Sequence, residues 1–396
     1  MTPPDVVTPE PDLPSLPLPR PGHRFTAFEH LRMAGYWFGS NFLWGALLGT
    51  VLSSQMTRLA PGDNAAVLGL LYAFGAFPAL VIPLIAGPLS DRCTHPMGRR
   101  RPYVIGGIAG GLVGLGLMAL GYSVLSLPAF FFGYLVLQLG SNVALAAYSG
   151  VIPDVVPDDQ RGVASGFMAV MSQTGTLFGA LMTSLVLDPK TQAGPIYLLI
   201  GAVFAIFGFV TVRSTPEVRL PGPVPPFDWR KYFRSLWIDP KQHPDFAWVW
   251  ITRALMMLGF YLIQPYLLYF VRDVIGAKEP AKSAGLAFAL ILVAATISGY
   301  FGGAISDRVG RKPVVIGASL VIAAMCLLFP FCRSMEAALG VGLIFGLGYG
   351  AYISVDWALG TDVLPSAHDS GKDMAVWHVS MTLPQQIAPF TAGMVL

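Results

Sequence analysis

The chain has 396 residues, 54% of them hydrophobic and 12% charged, with a mean hydropathy of +0.61 and a formal net charge of +3. Soluble globular domains carry about twice that share of charge, so the composition excludes a soluble enzyme built around one large core. So small a net charge gives no reason to expect nucleic acid as a partner, and Cys93, Cys326 and Cys332 follow no paired framework and read as free thiols.

The chain opens with MTPPDVVTPEPDLPSLPLPRPG, in which eight prolines precede Gly22. A signal peptide has a basic start, an apolar middle and a small-residue cleavage site, and this stretch has none of them; residues 1–33 are expected to form a disordered cytoplasmic tail. Eleven apolar runs follow, near 34–56, 64–88, 103–122, 127–151, 162–187, 193–212, 246–271, 283–305, 313–332, 337–361 and 373–396. Each is long enough to cross about 30 Å of hydrocarbon at about 1.5 Å per residue. The expectation is an all-α polytopic membrane protein. Residues 213–245, rich in proline and charge, separate a half at 34–212 from a half at 246–396.

Lysine and arginine set the orientation. With the N-terminus in the cytoplasm, eighteen of them fall on the cytoplasmic side and six outside, while Arg253 lies within a span. That asymmetry places the N-terminus inside. The halves also repeat. Ser90-Asp91-Arg92 after the second span matches Ser306-Asp307-Arg308 after the eighth, and Asp154-Val155-Val156-Pro157 matches Asp362-Val363-Leu364-Pro365. Two parallel repeats of six spans form a transporter architecture with its site between the halves near the midplane. The repeat predicts a twelfth span beyond Leu396.

The doubled loop resembles the signature of the major facilitator superfamily. The matching positions are Gly87, Asp91, Arg92, Gly98, Arg99 and Arg100, with Arg101 following, and then Gly303, Asp307, Arg308, Gly310, Arg311 and Lys312. The first copy carries four extra residues, and its form, Ser-Asp-Arg-Cys followed by Gly-Arg-Arg-Arg-Pro, is similar to the sucrose–proton symporters and their relatives. These residues are expected to form a gate. Glycine lets helices approach closely, Asp91 can face the positive N-terminus of a neighbouring helix (span 11 is the expected one), and the arginines can bridge to carboxylates or lipid phosphates.

Two charges lie well inside spans, where charge is costly and marks function by default. Arg253 sits about seven residues into span 7, and Asp356 about seven residues before the end of span 10, both roughly 10 Å deep from the cytoplasmic side. The resemblance implies that spans 1, 4, 7 and 10 line the central cavity, so the two are expected to pair. Asp356 is the leading proton-coupling group, Arg253 its partner and His378 the second candidate. Polar stripes at helical spacing supply expected substrate contacts: Asn41 and Trp44, Gln138 and Asn142, Tyr261 and Gln264, Tyr349 and Tyr352, and Gln385. Amides and rings with few fixed charges suit a neutral polyhydroxylated ligand, although amides also glue membrane helices together at about 1 kcal/mol each.

The expected function is alternating-access secondary transport, a proton-coupled symport of a sugar or glycoside by a monomer in the cell membrane (the inner membrane in a bacterium). Partners are the sugar, the proton and the lipid bilayer; no cofactor or metal is expected, and the chain is not read as an enzyme. One alternative is an efflux antiporter for drugs or metabolites. Gly166, Gly175 and Gly179 keep the spacing of that group's span-5 motif, but Ala180 replaces its proline and Thr183 and Ser184 its last glycines. The other alternative is a non-transporting membrane assembly factor.

Overall fold

A helix begins where the sequence supplies a capping box. Thr26 accepts from the Glu29 amide while the Glu29 side chain accepts from the Thr26 amide, and α1 (Ala27–Met33) follows. The tail therefore does not run unstructured to residue 33 as expected. Phe25 and Gln160 exchange hydrogen bonds of 2.9 and 3.0 Å, and Tyr148 donates to the Met33 carbonyl at 2.9 Å, so the segment is fastened to the bundle. The computed structural model describes residues 23–182, 191–217, 219–220, 228, 230, 232–233, 236–263, 267, 270–271, 274–278, 280–365 and 370–393. The Pro-rich residues 1–22 lie outside the described residues.

Thirteen further α-helices complete the described chain. They are α2 (Gly35–Ala46), α3 (Leu52–Leu59), α4 (Asn64–Asp91), α5 (Arg101–Ser123), α6 (Leu127–Ser149), α7 (Val151–Val155), α8 (Arg161–Leu181) and α9 (Ala193–Ser214), then α10 (Pro244–Ile263), α11 (Pro280–Val309), α12 (Arg311–Leu328), α13 (Met335–Asp362) and α14 (Ser370–Gly393). Among the described residues seven helical segments are long and apolar enough to cross a membrane: Val67–Asp91, Arg101–Ser123, Leu127–Val155, Ala193–Ser214, Gly285–Val309, Arg311–Phe331 and Met335–Asp362. The runs expected near 34–56, 162–187, 246–271 and 373–396 coincide with α2–α3, α8, α10 and α14, which fall outside that set. In the first of these a π-helical turn, Leu47–Val51, separates α2 from α3, a break that hydropathy cannot register.

Serine caps two of the long helices, with Ser126 accepting from the Ala129 amide and Ser334 from the Ala337 amide. Three interior prolines, Pro78, Pro83 and Pro88, lie within α4, and the Leu84 carbonyl, whose helical donor Pro88 removes, accepts from the Tyr232 hydroxyl. Small residues then set the packing. Gly107, Gly114 and Gly121 line one face of α5, and a Cβ at Gly114 would stand 2.3 Å from the Leu137 amide nitrogen of α6. Only hydrogen fits between those backbones.

Helices α2, α4, α5, α6, α8 and α9 pack around one apolar core, and α10 to α13 supply a second that includes Met257, Ala295, Ile322 and Tyr352. The two sets meet where α8 lies against α11 and α13, and where α14 lies against α4 and α6.

Candidate transport site and gate

The chain ends of α4, α6, α11 and α13 gather at one end of the bundle, here called the motif end, and both copies of the doubled signature sit there. In the first copy Arg100 lies 2.5 Å from the Asp91 carboxylate, donates to Asp154 at 2.9 Å and donates to the Ser90 hydroxyl at 2.7 Å. Arg99 makes a second, two-pronged pair with Asp154. In the second copy Arg311 pairs with Asp307, donates to Asp362 at 3.1 Å and donates to the Ser306 hydroxyl at 3.0 Å. The two sequence repeats, Ser-Asp-Arg and Asp-Val-x-Pro, thus converge in space into the same Ser–Asp–Arg–Asp cluster in each half of the chain.

The burial of the two clusters differs. In the first copy Arg99, Arg100 and Asp91 are 1–3% exposed, whereas Asp362 of the second remains 31% exposed at its side chain. Buried ion pairs of this kind cost about 3–5 kcal/mol when one partner is removed, because the other charge is stranded. Burial pushes the Arg100 guanidinium down, but Asp154 and Asp91 hold it above its ordinary value.

Asp307 also does what was expected of Asp91. Its two carboxylate oxygens accept from the Gly162 amide at 3.0 Å and the Val163 amide at 2.8 Å, the first turn of α8. A carboxylate there satisfies two orphan donors and sits at the positive end of the helix dipole. The contact joins the C-terminal set of helices to the N-terminal set at the motif end. Gly303 permits it, since a Cβ there would meet the Gly162 carbonyl oxygen at 2.4 Å. Arg161 adds a 3.5 Å contact to Asp362 across the same junction. For Asp91, α4 does pack on α14, but side chains 370–372 at the start of α14 lie outside the described residues.

Arg101 turns away from both aspartates, donating to the Thr215 carbonyl at 2.8 Å and lying 3.8 Å from Glu217. Glu217 also accepts from the Arg100 amide at 3.3 Å and fills the space beside Gly98, where a Cβ would stand 2.4 Å from its carboxylate and φ is +104°. Burial pushes the Glu217 carboxyl up, offset in part by that hydrogen bond and by the two arginines. The sequence reading missed Glu217, one of four carboxylates in the linker with Asp228, Asp239 and Asp245, because no local signal sets it apart from them. Gly87 is buried and Arg92 half-buried, while Arg308, Gly310 and Lys312 are exposed.

Arg253 and Asp356 come together 103 residues apart in sequence, and both are buried, at 2% and 3% exposure. The Arg253 Nη1 donates to Asp356 Oδ2, its Nη2 donates to the Met381 sulfur at 3.4 Å, and its Cζ stands 3.4 Å from the Trp377 ring centre. Tyr352 donates to the other Asp356 oxygen at 3.3 Å, one turn away on α13. His378 is buried on α14 beside Trp377. Tyr349 stacks flat on Phe260 at 4.4 Å, with Tyr261 next in sequence.

The remaining expected contacts form a second set. The Gln138 amide donates to the Tyr134 hydroxyl at 3.0 Å, and Asn142 donates to the Gln138 carbonyl at 2.8 Å and to its side-chain oxygen at 3.1 Å. Trp44 meets the Tyr134 ring edge-on at 6.4 Å. Asn41 donates to the Trp37 carbonyl at 2.9 Å and accepts from Thr176 of α8 at 3.4 Å, which makes it a link between helices. Gln385 is half-buried on α14, and Gln264 lies outside the described residues. The two sets are joined where Trp37 of α2 meets Trp357 of α13 edge-on at 5.1 Å. Glycines of the efflux-type spacing serve packing: a Cβ at Gly175 or Gly179 would come within 2.5 or 2.2 Å of α2 carbonyl oxygens. Among the described residues no group of three or more His, Cys, Asp or Glu side chains could hold a metal ion.

Apolar helices long enough to span a bilayer, joined at one end by repeated Asp–Arg–Asp clusters and enclosing an opposite-charge pair, define a multi-pass membrane transporter and not an enzyme. The family model described as Major Facilitator Superfamily matches residues 31–389, and this chain belongs to that family. Its fold is similar to that of the superfamily transporter FucP in the outward conformation, with a TM-score of 0.71 at 15% identity over 93% of this chain and 92% of that one. It is also similar to a bacterial homologue of the iron transporter ferroportin in an outward-facing state, with a TM-score of 0.73 at 16% identity over 93% and 92%. Among curated proteins it is 25% identical to the sucrose transport protein SUC4 of Arabidopsis thaliana over 166 residues, 38% of this chain and 32% of that protein. It is 24% identical to the multi-drug resistance efflux pump PmrA of Streptococcus pneumoniae over 361 residues, 86% of this chain and 82% of that protein.

Proposed function

We propose that this transporter couples the movement of a sugar or glycoside to protons, with Asp356 as the group that exchanges the proton and Arg253 as its partner. The observation that carries the reading is the buried Arg253–Asp356 pair, set between helices of the C-terminal half and held by Tyr352, Met381 and Trp377. A carboxylate in that position has two tolerable states: paired and ionised, or protonated. Alternation between two states as the protein opens to opposite sides is what coupling requires. The lysine and arginine asymmetry assigns the motif end to the cytoplasm, so the state described here is closed to the cytoplasm through Asp307 and α8. Sugar specificity draws support from the amide and ring set around Gln138 and Asn142, from the likeness of the first motif copy to sucrose–proton symporters, and from the partial match to SUC4.

The efflux reading has its own support, because the match to PmrA extends over 82% of that protein. One assay separates the two. Proteoliposomes are loaded with a panel of sugars, glycosides and cationic drugs, and flux is followed with and without an imposed pH gradient. Symport predicts sugar movement in the same direction as the proton, and antiport predicts drug movement against it. Asp356→Asn should abolish gradient-driven accumulation and leave substrate exchange at equal pH. Accumulation by that variant against a concentration gradient, driven by pH, would refute the assignment of Asp356. A well-folded protein that moves nothing would favour a role in membrane assembly.

A further inference from the structure

We propose that Trp377, Trp357 and Trp37 transmit the charge state of the Arg253–Asp356 pair to the closure of the motif end, acting as positioning residues and not as ligands. The inference rests on the proton-coupling reading of that pair. The Arg253 guanidinium lies over Trp377 at 3.4 Å from the ring centre. Trp377 meets Trp357 at 4.9 Å and 84°, and Trp357 meets Trp37 at 5.1 Å and 85°. Trp357 follows Asp356 on α13, whereas Trp37 stands in the first turn of α2 in the N-terminal set. The last contact of the series therefore bridges the two sets of helices, on the motif-end side of the ion pair.

Each link has little freedom. Trp377 is fully buried, and a Cβ at Gly360 would come within 2.5 Å of its ring, so the ring packs tightly against α13. Packed there and in contact with the Arg253 guanidinium, the ring has little room to move independently of it. Trp250 ties α10 to α14 through a 2.9 Å bond to the Val376 carbonyl, which keeps the cation and the ring in register. The stack is also free to break. The indole N–H groups of Trp37, Trp357 and Trp377 are all buried with no hydrogen-bond partner among the described residues, as is Nε of Arg253. No hydrogen bond pins the rings to one another, and any indole N–H that water reaches when the motif end opens gains a bond that closure denies it.

The titratable groups around the pair come from three helices: Tyr261 of α10, Tyr349 and Tyr352 of α13, and His378 of α14. When Asp356 takes a proton from the medium, Arg253 loses its counter-charge. The guanidinium then shifts toward solvent or substrate, and its hold on Trp377 loosens. Trp357 is freed to leave Trp37, and the two sets of helices part. Return of the proton to the opposite medium restores the stack.

The test reads motif-end opening by maleimide labelling of Ser165→Cys, a buried position on α8, in the full chain with its three native cysteines replaced and reconstituted in liposomes. In the parent, Asp356→Asn, which mimics the protonated state, should raise the labelling rate about thirtyfold, the shift expected from loss of one desolvated cation–π contact. In a Trp357→Leu background the same change should leave the rate unaltered, because the link is already cut. Trp37→Leu should behave alike, and Trp37→Phe, which keeps a ring, should restore the response; it also serves where the leucine variants do not fold. A response to Asp356→Asn that persists in full in both leucine backgrounds or is absent with Trp37→Phe overturns the tryptophan link and leaves proton coupling standing. A parent whose labelling ignores both Asp356→Asn and pH overturns the coupling reading, and the link with it.

Discussion

His30 should make closure of the motif end sensitive to pH. Its ring is 2% exposed, stacked on Phe167 of α8 at 5.9 Å and 13°, with Phe25 at 5.8 Å, and both ring nitrogens lack hydrogen-bond partners among the described residues. Phe167 in turn meets Tyr300 of α11 at 5.4 Å, across the junction held by Asp307. Burial pushes the imidazole down from 6.5 to about 4, against the opposing pull of Glu29 and Asp307. The sign follows from proton uptake. The closed state excludes a proton that an opened, hydrated state accepts, so stability of the closed state falls as pH drops below 6.5 and levels off near 4. A shift of that size is worth about 3 kcal/mol in all and about 1–2 kcal/mol at pH 5.5. Amide exchange in α1 and the first turn of α8, corrected for the intrinsic rate, should therefore quicken about tenfold between pH 7.5 and 5.5. His30→Leu should flatten that dependence. An identical pH dependence in the two proteins, or an NMR titration of His30 near 6.5 in the closed state, would refute the argument.

Asp307→Asn should weaken closure by about 1–2 kcal/mol, from loss of a charge at the α8 N-terminus, and raise labelling of Ser165→Cys about tenfold. Gly303→Val should have a similar or larger effect, because the added Cβ meets a backbone oxygen that cannot yield; overpacking of this kind costs about 1–3 kcal/mol. Gly317→Ala, where an added Cβ meets nothing within 4 Å, should leave labelling unchanged. Glu217→Gln should preserve closure at neutral pH. The Glu217 carboxyl is raised by burial, so what it contributes is present below its unfolded pKa and lost as pH rises through the folded one. A neutral amide that still accepts from Arg100 should remove that loss, and thermal unfolding in detergent from pH 5 to 8 will show a flatter profile if so.

The parts of this molecule legible in its sequence are those where the bilayer leaves no choice. A run of twenty apolar residues has one stable fate in hydrocarbon, and a lone Arg253 and Asp356 within such runs must find partners. Their pairing across 103 residues could be expected only through the repeat and the resemblance it carries, since neither residue is at a spacing that points to the other. What escaped the sequence lies where local signals are degenerate. Trp37, Trp357 and Trp377 read as apolar lining, and nothing in their positions announces an edge-to-face series. The π-turn at Leu47–Val51 carries no proline, and α1 hides a capping box behind a Pro-rich tail.

The two motif copies show how the same residues acquire different settings. Both build a Ser–Asp–Arg–Asp cluster, yet the loop of the first runs Cys93 to Met97 where the second has Val309 alone. The longer loop brings two arginines, Arg99 and Arg100, back onto Asp91 and Asp154, and Glu217 packs against Gly98, whose positive φ suits glycine, to seal them. The short loop brings one, Arg311, and leaves Asp362 of its cluster partly exposed beside α8. A sealed cluster is costly to break because each charge would be stranded, while a partly exposed carboxylate such as Asp362 can exchange its partner for water. The second copy, through Asp307, spans the junction between the two sets of helices at α8, whereas the first ties α4, α6 and the linker together within the N-terminal half.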